Sequence, residues 1–345
     1  VKIFLYEYTC SGGFSSDPHA LPLCNEGWAM LSALAKDFGR IPGVETITLL
    51  DQNCPRQLSG SIRRLSPEEQ EQIVFQNLAS AADYTLIVAP EFDDLLHTRY
   101  RWAQDAGGRV LGSSPEALRL AGDKLALGAL LRSQGIPTPE SVLFDDHVPA
   151  GGLKFPLVLK PRQGAGSQVT YLVGQGDHLS RSIRDARSEG WRGEFLLQPF
   201  VPGLAASVAL LVGPNACSPL LPGAQHISDD GRFRYQGGSL PLPSPLAERA
   251  LQLSEKAVNC VPGLKGWVGV DLVLGEAQDG TQDFVMEINA RVTTSYIGLR
   301  ELAENNLDEA LLQVVLEDRL PDLRWKAGMI RFSADGCIFF TPPGG

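Results

Sequence analysis

The sequence has no apolar run as long as the ~18 residues a membrane-spanning helix needs, and its short apolar start is broken by Glu7, where a secretory signal stays apolar. A cytoplasmic protein without a membrane partner is expected. Basic charge is also scarce: 30 Lys and Arg against 40 Asp and Glu give a net charge of −10, which excludes chain-wide attraction to nucleic acid. The six cysteines, Cys10, Cys24, Cys54, Cys217, Cys260 and Cys337, lack the paired spacing of a tetrahedral metal centre or a thiol–disulfide couple, and most are expected to be small buried hydrophobes. The five histidines (His19, His97, His147, His178, His226) show no ligand spacing and are expected in exposed polar roles. No fixed-period repeat appears, which excludes solenoids and propellers.

What is present is enough chain, 345 residues with 43% hydrophobic side chains, for two to three domains with cores of their own. Apolar runs at 2–6, 44–50 and 84–89 read as strands. Helical spacing from about Glu26 and over 67–78 separates them. This alternation predicts an N-terminal parallel sheet covered on both faces, with loops at 7–13 and 90–94 at the strand ends where ligands collect. After Ser114 the texture changes to short helices, a strand at 157–160, a Gly-rich turn, a strand at 169–173, a charged helix near 180–189 and a strand at 195–200. Strands at 207–212, 269–274 and 284–288, a helix at 306–317 and a hairpin at 328–340 complete the chain. The expected class is α/β followed by α+β, divided at 1–112, 113–194 and 195–345.

Two lysines stand out by context. Lys124 follows an acid between helices, and Lys160 ends the apolar strand FPLVLKP just before Gly164-Ala165-Gly166-Ser167. Each alone is better read as a surface lysine or an ordinary turn. On consecutive elements they favour phosphates, because backbone N–H groups of such a turn and a strand-end ammonium both attract anions. Counter-charge comes later: Asp271 interrupts the strand VGVDLVL, while Glu287 and Asn289, two apart, share one face of FVMEIN. Carboxylates in apolar strands need a cation, an arginine or strong donors. Mg²⁺, or Mn²⁺ in its place, suits such oxygen ligands. A salt bridge to Arg291 or Arg300 is the alternative.

Taken in order, Asp123-Lys124, Leu159-Lys160-Pro161 with 164–167, Gln198-Pro199-Phe200-Val201-Pro202-Gly203, Gly269-Val270-Asp271 and Met286-Glu287-Ile288-Asn289-Ala290-Arg291 resemble the ATP-grasp ligase superfamily over about 113–318. The N-terminal Phe4-Leu5-Tyr6-Glu7-Tyr8 with Cys10, Gly12 and Gly13, the Ala89-Pro90-Glu91 segment and the run from Asn289 to Tyr296 more narrowly resemble the tyramine:glutamate ligase family of methanofuran biosynthesis, which has relatives tied to methylofuran assembly. The resemblance implies a Rossmann-like pre-ATP-grasp domain followed by two subdomains that grip ATP. It implies Lys124, Lys160, Gly164, Gly166 and Ser167 on the ATP phosphates, Gln198, Pro199 and Val201 around adenine, and Asp271, Glu287 and Asn289 on Mg²⁺. Two departures count. Gly203 is followed by Leu204-Ala205-Ala206 where many members carry a ribose-binding acid, and Gly269 stands where D-alanine ligase relatives have arginine.

The implied reaction joins a small-molecule carboxylate to an amine, making an amide with ADP and phosphate as products. Phosphorylation turns the carboxylate oxygen into a leaving group, and positioned cations, Lys124, Lys160, Arg291 and the metal, neutralise the developing charge. Arg291 and Arg300 bracket Thr293-Thr294-Ser295-Tyr296, a segment suited to a substrate carboxylate or to the transferred phosphoryl; a capped helix start is the alternative. Glu7 and Glu91 follow strands of the first domain, where they can attract an ammonium group, beside Gly12 and Gly13. Cys10 has no neighbouring base and is not read as a nucleophile. L-Glutamate with tyramine or a tyrosine-like amine is the narrow expectation; another amino-acid or peptide ligase, or a non-catalytic ATP-binding regulator, are the alternatives. The sequence names no general base and leaves a homo-oligomer open.

Overall fold

The computed structural model describes residues 1–13, 21–145, 152–164 and 166–343, so His19, His147 and Ala165 lie outside the described residues. The first sheet is parallel, in the order β3-β2-β1-β4, from β1 (Lys2–Glu7), β2 (Glu45–Asp51), β3 (Ser61–Leu65) and β4 (Tyr84–Val88). Alternate residues of β1 feed different cores. Phe4 and Tyr6 pack edge-on against Phe75, at 5.2 and 4.9 Å between ring centroids, while Ile3 and Leu5 join the cluster that buries Leu31, Leu34 and Phe38. The helices of this unit are α1 (Leu21–Phe38), α2 (Glu71–Ala81) and α3 (Leu95–Asp105).

Several expected bounds shift for local reasons. The helix read from Glu26 begins at Leu21. Residues 67–70, expected to open the helix read over 67–78, lie in a turn instead, because the Glu69 carboxylate accepts from Ser66 N at 3.0 Å and pairs with Arg63. β3 carries Arg63 and Arg64 and sits at the sheet edge, where charge is tolerated. His97 is buried on α3, 3.0 Å from Asp94, rather than exposed. Of the six cysteines only Cys10 is buried; Cys337 is exposed.

Next come α4 (Pro115–Gly122) and α5 (Lys124–Ser133), each with a side-chain cap: Ser114 Oγ accepts from Ala117 N at 3.2 Å, and Asp123 Oδ1 from Leu125 N and Ala126 N at 3.1 Å. The second sheet is antiparallel, in the order β5-β8-β6-β7, built from β5 (Val142–Leu143), β6 (Leu157–Pro161), β7 (Tyr171–Val173) and β8 (Phe195–Pro199). α6 (Gly176–Ser188) closes its core through Leu179 and Ala186. The expected division at 194/195 cuts this sheet. β8 hydrogen-bonds along all of β6, so the structural break falls after Pro199, in the connection to the third sheet.

The third sheet has eight strands, in the order β14-β13-β9-β11-β12-β15-β16 with β10 paired to β9. They are β9 (Leu204–Val212), β10 (Cys217–Pro219), β11 (Gly223–Ile227), β12 (Tyr235–Leu240), β13 (Gly266–Leu274), β14 (Phe284–Asn289), β15 (Met329–Ser333) and β16 (Ile338–Thr341). β15 and β16 form the expected C-terminal hairpin. α7 (Ser244–Asn259) packs on β9, β13 and β14; α8 (Ser295–Leu302) packs on β12 and β15, and α9 (Leu307–Glu317) on β9 and β13. No helix among the described residues is long and apolar enough to cross a membrane.

The first and third units are clamped through α1. Arg300 donates to both Asp37 oxygens, Nε–Oδ2 at 2.6 Å and Nη2–Oδ1 at 2.7 Å, and Tyr296 donates its hydroxyl to Oδ2 at 2.8 Å. Asn306 Nδ2 donates to the Asp37 backbone oxygen at 2.7 Å. Asp37 is buried and the Arg300 side chain is only 10% exposed. Removing one partner strands the other, so Arg300→Leu is expected to cost about 3–5 kcal/mol of stability by urea unfolding. Arg300→Lys should recover only part, because an ammonium cannot reproduce the two-pronged contact; an unchanged midpoint for Arg300→Leu excludes the clamp.

Candidate active site

A cleft of about 520 Å³ opens between the second and third sheets. In β6, Leu157 and Leu159 point into the core, so Val158 and Lys160 face the cleft. The Lys160 ammonium donates to Gln198 Oε1 at 3.0 Å, and Gln198 Nε2 donates to Ser141 Oγ at 2.9 Å. Burial, reinforced by the neighbouring Lys124 and opposed by Glu287, pulls Lys160 down to about 8. Lys124, at the start of α5, donates to Gly164 O at 2.9 Å and lies 3.0 Å from Glu287 Oε2. It thereby ties the glycine turn of the second sheet to β14 of the third. Asp123 steadies this corner: it caps α5 and pairs with Arg162 at 2.6 Å, and these contacts hold its carboxyl below the usual range although burial opposes them.

The acids lie on the opposite wall. Asp271 and Glu287 are register partners on β13 and β14, beside a bulge between Asp271 and Leu272. Burial works against ionising Glu287, but Lys124 and Lys160 outweigh it and hold its carboxyl low. Asp271 accepts from Gln225 Nε2 at 2.9 Å and Asn289 Nδ2 at 3.0 Å, and among the described residues no lysine or arginine bonds to it. Burial first, and then the facing Glu287, push Asp271 well above the usual carboxylate range. Two facing carboxylates, one uncompensated, with an amide oxygen beside them, fit a hard divalent cation such as Mg²⁺ or Mn²⁺. Among the described residues there is no cluster of three His, Cys, Asp or Glu, so outside oxygens would complete its shell.

The cleft also has an apolar lining. Val158, Leu172, Val201, Leu272 and Met286 line it with Phe200 and Phe233, whose rings lie 6.1 Å apart, and Gln198 and Pro199 border it. A flat heteroaromatic ring suits this slot, with polar edges read by the strand-end groups. Gly164, Gly166 and Ser167 sit over the lysines, with Gly166 at φ +63° and Ser167 at +56°. The expected phosphate, base and metal residues therefore share one cleft.

The expected substrate residues divide. Arg291 and Ser295 line the cleft. Glu91 does not; it holds Arg291 through both oxygens, at 2.8 and 3.0 Å, across the junction with the first unit. Glu7 is buried, accepting from Thr9 Oγ1 at 2.7 Å and Cys10 N at 2.8 Å, under α1 at Gly27, where a Cβ would come within 2.5 Å of its carboxyl. Gly12 and Gly13 shape the same turn; Gly12 takes φ +100°, a conformation that favours glycine. Tyr296 and Arg300 face Asp37 in the clamp, not the cleft. Electrostatic demand explains these placements, since each buried charge or hydroxyl has found a partner in a neighbouring element.

Among the lining residues that sequence reasoning misses are Glu26, Gln225 and Tyr235. Glu26 projects from α1 and accepts from Thr294 Oγ1, so Thr294, at the N-cap position of α8, bonds across the junction rather than capping its own helix. Gln225 and Tyr235 come from β11 and β12, whose small and polar residues give little apolar alternation to read.

Against known proteins, residues 121–295 match the ATP-grasp domain and residues 44–118 the pre ATP-grasp 3 domain. The chain is 27% identical to tyramine–L-glutamate ligase of Methanocaldococcus jannaschii over 337 residues, covering 96% of this chain and 94% of that protein. It is 25% identical to tyramine–L-glutamate ligase of Methanocaldococcus fervens over 317 residues, covering 90% and 93%. Among solved structures, the L-amino acid ligase from Bacillus licheniformis superposes with a TM-score of 0.68 at 17% identity, over 96% of this chain and 78% of that one. With about half of its length matched to that domain, and the match spanning the cleft, this chain belongs to the ATP-grasp family.

Proposed function

We propose that the protein is an ATP-dependent ligase that joins L-glutamate to tyramine or a closely related aromatic amine, as in assembly of a methanofuran- or methylofuran-type C1 carrier. The observation that carries this reading is the meeting of Lys124, Lys160, Asp271, Glu287 and Asn289 in one cleft with a glycine turn and an apolar slot. The near full-length likeness to two tyramine–L-glutamate ligases supports the substrate pair.

In this reading the slot at Gln198, Pro199 and Val201 takes the adenine, and Lys124, Lys160 and the turn at Gly164, Gly166 and Ser167 hold the phosphates. Asp271, Glu287 and Asn289 would hold Mg²⁺ or Mn²⁺, which supplies charge neutralisation on the phosphate oxygens. The chain's own part is positional. Lys160 brings a buried positive charge to the phosphate that moves, and Ser295 offers a hydroxyl to the substrate carboxylate. Arg291 adds a guanidinium whose charge is partly offset by Glu91. Transfer of the terminal phosphoryl to the carboxylate makes an acyl phosphate, which the free amine opens to the amide. Residues 1–112 shape the second-substrate side, and the two following segments close on the nucleotide.

Purified protein with ATP, Mg²⁺ and L-glutamate is expected to release phosphate only when a suitable amine is added, and mass spectrometry should show the glutamyl amide. No amine-dependent phosphate across a broad amine panel sinks the reading, and a different coupled product reassigns the substrates. Asp271→Asn should lower turnover by about 100-fold or more, the scale for losing a group that stabilises transition-state charge; ATP binding with no turnover in either protein would instead indicate a regulator.

Lys160 gives a pH test. Its ammonium is charged below about 8 and loses its proton above. Attraction for phosphate is therefore full on the acid side and declines as pH rises. Calorimetric Kd for ATP is expected to rise through this range, and Lys160→Gln should bind more weakly with that pH dependence removed. A pH-dependent loss that survives in Lys160→Gln assigns it to another group.

A further inference from the structure

Resting on the ligase reading, we propose that Glu26 is the base that takes the proton from the incoming amine. Four carboxylates line the cleft among the described residues: Glu26, Asp229, Asp271 and Glu287. Asp271 and Glu287 face each other at the phosphate end, one tied to Lys124, and Asp229 is exposed on the turn beyond β11. Glu26 is different. It is half-buried, reaches the cleft from the first unit, and accepts a hydrogen bond from the neutral Thr294 hydroxyl. It is also the one lining residue contributed by the first 112 positions among the described residues.

Its neighbours place it beside the reacting end. Thr293, Thr294, Ser295 and Arg291 line the same stretch of wall, and the half-buried Tyr235 lies within electrostatic reach of both Glu26 and Asp271. The groups that face Glu26 are therefore Thr294 at the start of α8, Arg291 after β14, and Tyr235 on β12. Arg291 is already engaged by Glu91, and among the described residues the Glu26 carboxylate has no ion-pair partner of its own. Burial raises the Glu26 carboxyl above its usual range, with Thr294 and Arg291 opposing. That direction makes it a better match to an ammonium than a solvated glutamate is.

The step balances simply. The ammonium gives one proton to a Glu26 oxygen, which becomes a neutral carboxylic acid, and the nitrogen lone pair is freed. Nitrogen attacks the acyl phosphate carbonyl carbon; the C–N bond forms, and the C–O bond to phosphorus breaks with its electron pair leaving on phosphate. The second nitrogen proton departs with that phosphate.

Hydroxylamine separates the base from the rest of the machinery, because it is unprotonated at neutral pH and traps an acyl phosphate as the hydroxamate without needing a base. Glu26→Gln keeps the Thr294 contact. It is expected to make amide from tyramine about 10²–10⁴-fold more slowly, while hydroxamate from glutamate, ATP and hydroxylamine stays near the wild-type rate. In the wild-type protein, amide formation should level off above the Glu26 titration; in Glu26→Gln it should climb with hydroxide. If both products fall together in Glu26→Gln, or neither falls, the assignment is overturned. The wild-type profile is a reading independent of any variant: a climb without a plateau also overturns it. Failure of the wild-type protein to form either product removes the ligase reading itself, and the assignment with it.

Discussion

Buried charge in an apolar setting is the constraint around which the rest of this structure is arranged. Lys124 and Lys160 hold the Glu287 carboxyl low against its burial in β14, and Glu287 in turn supports the charge on Lys160. The three come from α5, β6 and β14, so the electrostatics can be satisfied only when the second sheet closes on the third. Lys124 makes this concrete: its ammonium touches a carbonyl of the glycine turn on one side and a carboxylate of the large sheet on the other. Among the described residues Asp271 is the member with no lysine or arginine bonded to it, held instead by the neutral amides of Gln225 and Asn289.

What could be read in advance follows from which interactions are local. Lys160 ending an apolar strand, and Asp271 inside another, violate the rule that charge avoids central strands. Such violations are visible without knowing the fold. The pairing of Glu287 and Asn289 on one face is visible for the same reason, since strand periodicity is a local property. The parallel first sheet shows in the alternation of apolar runs, while β3 with its two arginines does not. Glu26 was hidden because a glutamate early in a helix is ordinary; only the docking of α1 on the third unit makes it a cleft residue. Tyr296 and Arg300 erred the other way, since proximity in sequence to Asn289 and Arg291 says nothing about which face of α8 meets α1.

The segment from Arg291 to Arg300 shows how one short stretch serves two surfaces. Arg291 pairs with Glu91, Thr294 with Glu26, and Tyr296 and Arg300 with Asp37, so every one of these side chains bonds to the first unit. Thr293 and Ser295 bond to each other and look into the cleft, with Trp267 Nε1 donating to Thr293 at 3.2 Å. The stretch that a sequence reader assigns to substrate is therefore largely a seam between units, with a wall of the cleft on its inner side.

Helix geometry makes the seam and the site one device. From Glu26 to Asp37 is eleven residues, about three turns at 3.6 residues per turn, so both acids project from the same face of α1. Asp37 is gripped at one end by Arg300 and Tyr296, and Glu26 meets Thr294 at the other. A rigid helix held at both ends fixes the position of each side chain between them, and a carboxylate that must meet an incoming nitrogen needs that fixed position more than it needs a particular loop. Glu7, at the end of β1, lies beneath the same helix at Gly27, packed and hydrogen-bonded inward. α1 thus covers one acid and presents another, which is how the first unit can contribute to the cleft while its own strand-end loop stays closed.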